Sequence, residues 1–128
     1  MGDRANFGFR SNEGTEIIFL YGHWAGDGMM ATLANALEVA RRRWCDESYA
    51  TRICISNIIG DEWTQETGWG VSTYMGDNEH SVPVVNWGTQ TVSLYDSSVS
   101  LVPNFVNPKF TMGLDVFVAK FSKDLANA

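Results

Sequence analysis

Residues 16–43 read EIIFLYGHWAGDGMMATLANALEVARRR, and a change of period inside this stretch decides the fold. Ile17 to Tyr21 form a short apolar run of strand length. From Met30 onward the apolar residues fall at Met30, Leu33, Ala34, Leu37 and Ala40 or Arg41, the i, i+3, i+4, i+7 stripe of a helix. YGHWAGDG (21–28) is therefore a strand-to-helix junction, with Asp27 placed to cap the helix. Arg41, Arg42 and Arg43 fall where that helix ends, where cations complement its dipole.

Working outward, NFGFR (6–10) alternates as a half-buried strand does. SNEG (11–14) is a turn signal, so the first two strands should form a hairpin. Residues 47–60 admit two readings. Asp46 as a cap, Glu47 in the first turn and a stripe of Tyr49, Ile53, Ser56 and Ile59 or Gly60 favour a helix. The alternation of Thr51 to Ser56 is the strand alternative. The helix is the preferred reading, on its N-terminal signal and its length.

WGVSTYM (69–75) alternates as a strand, and GDNEHS (76–81) reads as a polar loop. VPVVNW and TVSLYD flank Gly88-Thr89-Gln90 as a hairpin. A loose stretch from Ser97 to Pro108 follows. Thr111 then caps a last helix striped by Leu114, Phe117, Val118, Phe121 and Leu125. The expected fold is one α+β domain over residues 1–128, in the order β-β-α-α-β-β-β-α. Its sheet is mostly antiparallel, with helices packed on one face. Apolar residues on both faces of NFGF, WGVSTY and VVNW suggest that the second face meets another copy, so a homo-oligomer is expected.

Composition narrows the function classes. A net charge of −6 argues against binding a nucleic-acid backbone, which needs a basic face. No apolar stretch approaches the ~20 residues of a membrane span, and MGDRANFGFR lacks the apolar core of a signal peptide. Cys45 and Cys54 form no CxxC pair, which suggests free thiols in a reducing compartment. Aromatics make up 12% of the chain, and Trp24, Trp69 and Trp87 lie in glycine-rich or polar stretches, where rings can line flat pockets.

YGHWAGDG shares with phosphate loops a strand, glycines and a helix N-terminus. It is neither GxxxxGK[ST] nor GxGxxG, and Asp27 places negative charge where a phosphate would sit. A structural turn and a pocket lined by His23 and Trp24 both stay open. His23 and His80 are the two histidines, and neither HxH nor HExxH spacing supports a metal site. No GxSxG elbow and no marked carboxylate pair point to catalysis, so no catalytic residue, metal or cofactor is assigned. On a helix Arg52 shares a face with Tyr49 and Ser56. It can hold a phosphate or carboxylate, or pair with Glu47 or Asp46. Trp69, between two glycines, is either an exposed ring or sheet-edge packing. Asn78 lies beside His80 in the polar loop.

Taken together, RANFGF, LYGHWAG, RWCDESYATRI, TGWG, DNEH and PVVNWGTQTVSLY resemble a family of small uncharacterised proteins encoded by bacteriophages. The likeness runs from about Arg4 to Tyr95 and is looser over the C-terminal helix. It departs at Cys45, where the family pattern usually has Asn or Ser, which argues against a role for that thiol. The family carries no assigned activity. The resemblance implies a protein made in the host cytoplasm, where small acidic phage proteins serve as virion parts or blunt host defence. The expected function is an accessory, anti-defence protein that binds and sequesters a small nucleotide-derived signal. Its site would be an aromatic and glycine-lined pocket of His23, Trp24, Tyr49, Arg52, Trp69, Asn78 and His80. A virion component or direct inhibitor of a host protein is the alternative, and a hydrolase of the signal is the second.

Overall fold

Phe7 and Phe9 alternate with Asn6 and Gly8, and the chain extends there as β1, Ala5–Arg10. The computed structural model describes residues 2–11, 16–96 and 107–122. β2, Ile18–Gly22, returns antiparallel along β1 and pairs Phe7 with Leu20 and Phe9 with Ile18, as the hairpin expectation requires. The turn expected at SNEG lies largely outside the described residues.

The helices follow in the expected order: α1, Met29–Val39, and α2, Glu47–Ile59. The helical reading of 47–60 therefore holds. Arg41–Arg43 form a short 3-10 turn between them. After a second 3-10 turn at Gly60–Glu62 come β3, Trp69–Ser72, β4, Val82–Asn86, and β5, Thr91–Tyr95. One strand was not anticipated: β6, Phe110–Gly113, pairs antiparallel with β5. The last helix, α3, accordingly spans Leu114–Phe121. Thr111 is thus a strand residue and not a helix cap, its hydroxyl 2.7 Å from that of Ser93. Four residues of edge strand leave little periodicity to read, and a Thr three positions before an apolar stripe imitates a cap. Leu125, expected on the α3 stripe, lies outside the described residues.

The strands order as β3-β2-β1-β4-β5-β6, an α+β sheet that is antiparallel except where β1 runs parallel to β4. Alternation places Phe7, Phe9, Leu20, Val85 and Val92 on one face, and all three helices pack there. Leu33, Ala34 and Leu37 of α1 and Leu114, Phe117 and Val118 of α3 are the expected contacts. α2 departs from its expected stripe: it buries Ala50, Cys54, Ile55 and Ile59 and leaves Tyr49 exposed.

The other face carries Phe19, Val82, Val84 and Tyr95, which bury one another with Ile17 while Met75 packs against them. These side chains are already buried within the chain, so the argument for a second copy from an uncovered apolar face does not hold. Asn6 on β1 is fully buried among them. Its Nδ2 donates to the carbonyl oxygens of Gly76 (3.3 Å) and Asp77 (3.1 Å) and to Asn78 Oδ1 (3.2 Å). Its Oδ1 accepts from Gly76 N at 3.1 Å, so one buried amide anchors the 76–78 loop across the sheet.

Candidate functional site

The residues singled out from sequence occupy two places. Phe9 and Ala5 lie at opposite ends of β1, about 13 Å apart at ~3.3 Å per residue. Gly22, which leads into His23 and Trp24, pairs with Ala5, whereas the cavity that Arg52 lines reaches Phe9 and Ile18.

At the Gly22 end, α1 begins after Gly28, whose φ of 68° is left-handed, and no side chain caps it. Asp27 is therefore not the cap. A glycine at φ > 0 closes the turn on its own and leaves the acid beside it exposed. Loop amides that would grip a phosphate are already donated. Ala25 N gives to Gly22 O (3.4 Å), Gly26 N to Asp3 O (2.9 Å) and Met29 N to Gly26 O (3.2 Å). This arrangement is that of a structural turn. His23 Nδ1 is 2.9 Å from Tyr21 Oη, its backbone N–H donates to Gly68 O at 2.8 Å, and its ring meets Trp24 edge-on at 4.3 Å. Trp24 itself is 66% exposed.

His80 and Asn78 reach the same end from the 76–81 loop. His80 Nε2 lies 2.5 Å from Asp3 Oδ1, and Gly26 packs so closely that a Cβ there would overlap both groups. Asn78 accepts from Asn6 and donates to the His80 carbonyl. The polar atoms of Asn78 and the Nε2 of His80 are thus engaged with the chain's own groups. Trp69 packs on Gly22 and donates from Nε1 to Glu62 Oε1 at 2.7 Å.

α2 builds the second place. Ser48, Thr51, Arg52 and Ile55 share one face of the helix, at three- and four-residue spacing. This face looks onto a cavity of about 730 Å³, within the ~300–1,000 Å³ of small-molecule sites. Phe9, Ile18 and Val71 contribute from the sheet and Trp63 from the segment after α2, so the lining is mainly apolar. Trp87 stands between sheet and helix. It stacks parallel to Phe9 at 6.3 Å between ring centroids and donates from Nε1 to Thr51 Oγ1 at 2.8 Å. Ile18 (40%), Val71 (52%) and Trp63 (58%) leave apolar surface open to solvent around the cavity. A smaller cavity of about 160 Å³ adjoins it, sharing Trp63 and Val71, and Trp69 lines that one.

Arg52 is exposed and makes no hydrogen bond or ion pair among the described residues, so the pairing with Glu47 or Asp46 is not formed. Tyr49 does not join it: the Tyr49 ring lies 5.3 Å from the guanidinium carbon of Arg43. Arg41 ion-pairs with Glu38 at 2.8 Å and with Asp115 of α3, which makes the first arginine of the run a strut between helices. Sequence reading missed Trp63 and Thr51 as cavity residues. For Thr51 the one signal was the helical reading of 47–59, which sets it beside Arg52 and Ile55, and nothing in the local pattern marked Trp63.

The cavity can hold a flat apolar group against aromatic rings and a charged group at its polar edge. Neither cysteine is among the lining residues: Cys54 is buried and its thiol is pushed up to about 12 by desolvation, while Cys45 is exposed. Among the described residues no three His, Cys, Asp or Glu side chains group to hold a metal ion, and no helix is long and apolar enough to cross a membrane. No protein-family model matches the chain, and no curated protein or solved structure is significantly similar to it.

Proposed function

We propose that this chain binds a small nucleotide-derived molecule in the cavity between α2 and the sheet and retains it unaltered. In the phage setting that the sequence resemblance implies, it acts as an accessory protein that sequesters a host alarm signal. One observation carries the reading: a largely apolar, tryptophan-walled cavity is lined by an exposed arginine, Arg52, that forms no ion pair among the described residues. A nucleobase stacks on an indole while an arginine binds phosphate, and the combination suits both halves of a nucleotide. The Trp87–Thr51 hydrogen bond and the Phe9–Trp87 stack hold one wall before any ligand arrives, which lowers the ordering cost of binding. All of this lining comes from one chain, so the reading requires no second copy.

The test is calorimetry and thermal-shift titration of purified protein against cyclic mononucleotides, cyclic dinucleotides and ADP-ribose isomers. Mass spectrometry of molecules released by heat from protein purified out of signal-producing cells accompanies it. The expected result is saturable heat with one nucleotide class, recovery of that molecule intact, and a loss of about tenfold or more in Arg52→Ala. Absence of heat across the panel overturns binding. Appearance of a product on incubation overturns passive retention in favour of a hydrolase.

A further inference from the structure

The charges around the cavity set a limit on what it can accept. Among the described residues four ionisable side chains line it, Arg10 and Arg52 against Glu16 and Glu47, so their formal charges cancel. The whole chain carries −6, which gives no long-range attraction for an anion. The positive end of α2 is offset as well. Glu47 is its first residue, an acid placed where the helix dipole would otherwise favour phosphate. A ligand with several phosphates would set its further charges against Glu47 and Glu16 as well as Arg10, with no net positive charge among these groups to hold them.

The same acids suit a different partner. Carboxylates accept hydrogen bonds from hydroxyls, and Glu47 lies five residues before Arg52, about 7.5 Å along the helix axis. Both side chains line the cavity, so one ligand can offer an anionic group to the arginine and a sugar hydroxyl to the glutamate. Trp63, a residue 58% exposed at the cavity, can offer its ring to a base. We infer that the cavity takes a nucleoside bearing a single negative charge, a cyclic or otherwise esterified monophosphate, and discriminates against polyphosphates and dinucleotides. In this arrangement Arg52 holds the phosphate, Glu47 the free ribose hydroxyl and Trp63 the base. The inference rests on the nucleotide-binding reading above and names its ligand class.

Calorimetry at fixed ionic strength with 3′,5′-cyclic mononucleotides of the four common bases, adenosine, ATP and cyclic di-GMP tests it. At least one cyclic mononucleotide should bind about tenfold or more tightly than adenosine, ATP or cyclic di-GMP. Arg52→Ala should bring that cyclic mononucleotide down to the level of its parent nucleoside. Glu47→Gln should weaken cyclic mononucleotides and strengthen ATP several-fold. Both side chains are exposed, so circular dichroism and melting of the two variants should match the parent. Tighter binding of ATP or cyclic di-GMP than of every cyclic mononucleotide overturns the single-charge inference and leaves nucleotide binding intact. So does an unchanged preference in Arg52→Ala. Failure of every probe removes the binding reading itself, and the inference with it.

Discussion

The indole N–H of Trp87 donates to Thr51 Oγ1 at 2.8 Å and ties α2 to the turn between β4 and β5. Trp87 is 5% exposed, so this N–H has little access to water as a substitute acceptor. Thr51→Val keeps the shape and removes the acceptor. It should cost about 1–3 kcal/mol, the penalty for leaving a buried donor unpaired. Thr51→Ser should recover most of the loss. Urea denaturation of the three proteins, compared at constant m-value, measures the difference.

Gly26→Ala should be among the more damaging small substitutions in the chain. A methyl there meets His80 Nε2 and Asp3 Oδ1, with no space to enter unless their contact opens. Overpacking of this kind costs roughly 1–3 kcal/mol. Hydrogen exchange should speed up at the Gly26 amide, which donates to Asp3 O. Unchanged protection there would show that the His80–Asp3 contact does not hold the N-terminal segment in place.

Asn6 is a buried amide whose four hydrogen bonds all serve the 76–78 loop. Asn6→Ala should cost about 1–3 kcal/mol and expose the Gly76 amide to faster exchange, because loop groups lose their partners. Asn6→Asp should not rescue it, since a carboxylate cannot donate to the Gly76 and Asp77 carbonyls. Equal stability of Asn6→Ala and the parent would show that water replaces the amide.

The two thiols should separate cleanly. Exposed Cys45 should react with a disulfide reagent in the native state, and buried Cys54 only after unfolding. Burial raises the Cys54 thiol to about 12, so folding favours its protonated form. The resulting contribution to stability is fully present below the ordinary thiol range and is lost as pH climbs toward 12. Titration of thiols per chain, native against denatured, measures the first statement, and alkaline denaturation of Cys54→Ala against the parent measures the second.

Acid should act weakly through Glu38. Its hydrogen bond with Arg41 holds the carboxyl below the usual range. A depressed carboxylate stabilises the fold above its unfolded value and loses that contribution as pH falls through the folded one. Both partners are well exposed, so Glu38→Gln should cost only about 0–1 kcal/mol at neutral pH and flatten the acid limb slightly. A larger loss would mean that the Arg41 link to Asp115 depends on Glu38.

Legibility followed the strength of the local pattern. α1 and α3 carried their packing stripes openly, because Leu33, Leu37, Phe117 and Val118 recur at helical spacing with polar residues between them. α2 was legible as a helix but not in its facing. The cavity covers part of its surface, so Tyr49 resembled a core residue while Ala50 and Cys54 held the core position. β6 was hidden by its shortness. At the β2–α1 junction, glycine spacing spoke against a nucleotide loop, and the amides of Ala25, Gly26 and Met29 are donated within the chain. Two of the junction amides find partners far away in sequence, Gly26 at Asp3 O and His23 at Gly68 O, and no local pattern announces such contacts. Arg52 and His23 were both reasonable site residues on chemistry alone. Their separation depends on strand direction, which sets Phe9 and Ala5 at opposite ends of the sheet.

The parallel pairing of β1 with β4 governs the order in which the molecule can be completed. Gly8 pairs with Val84, so β1 leaves the ribosome long before its neighbour exists. At about 5–20 residues per second that interval lasts several seconds. During it the β1–β2 hairpin has an open edge and Phe7 and Phe9 without their full cover. The helices made in the interval, α1 and α2, belong to the same core as those phenylalanines. Synthesis thus delivers the helices that share a core with β1 before the strand that pairs with it, and β5 and β6 can join the sheet only after β4.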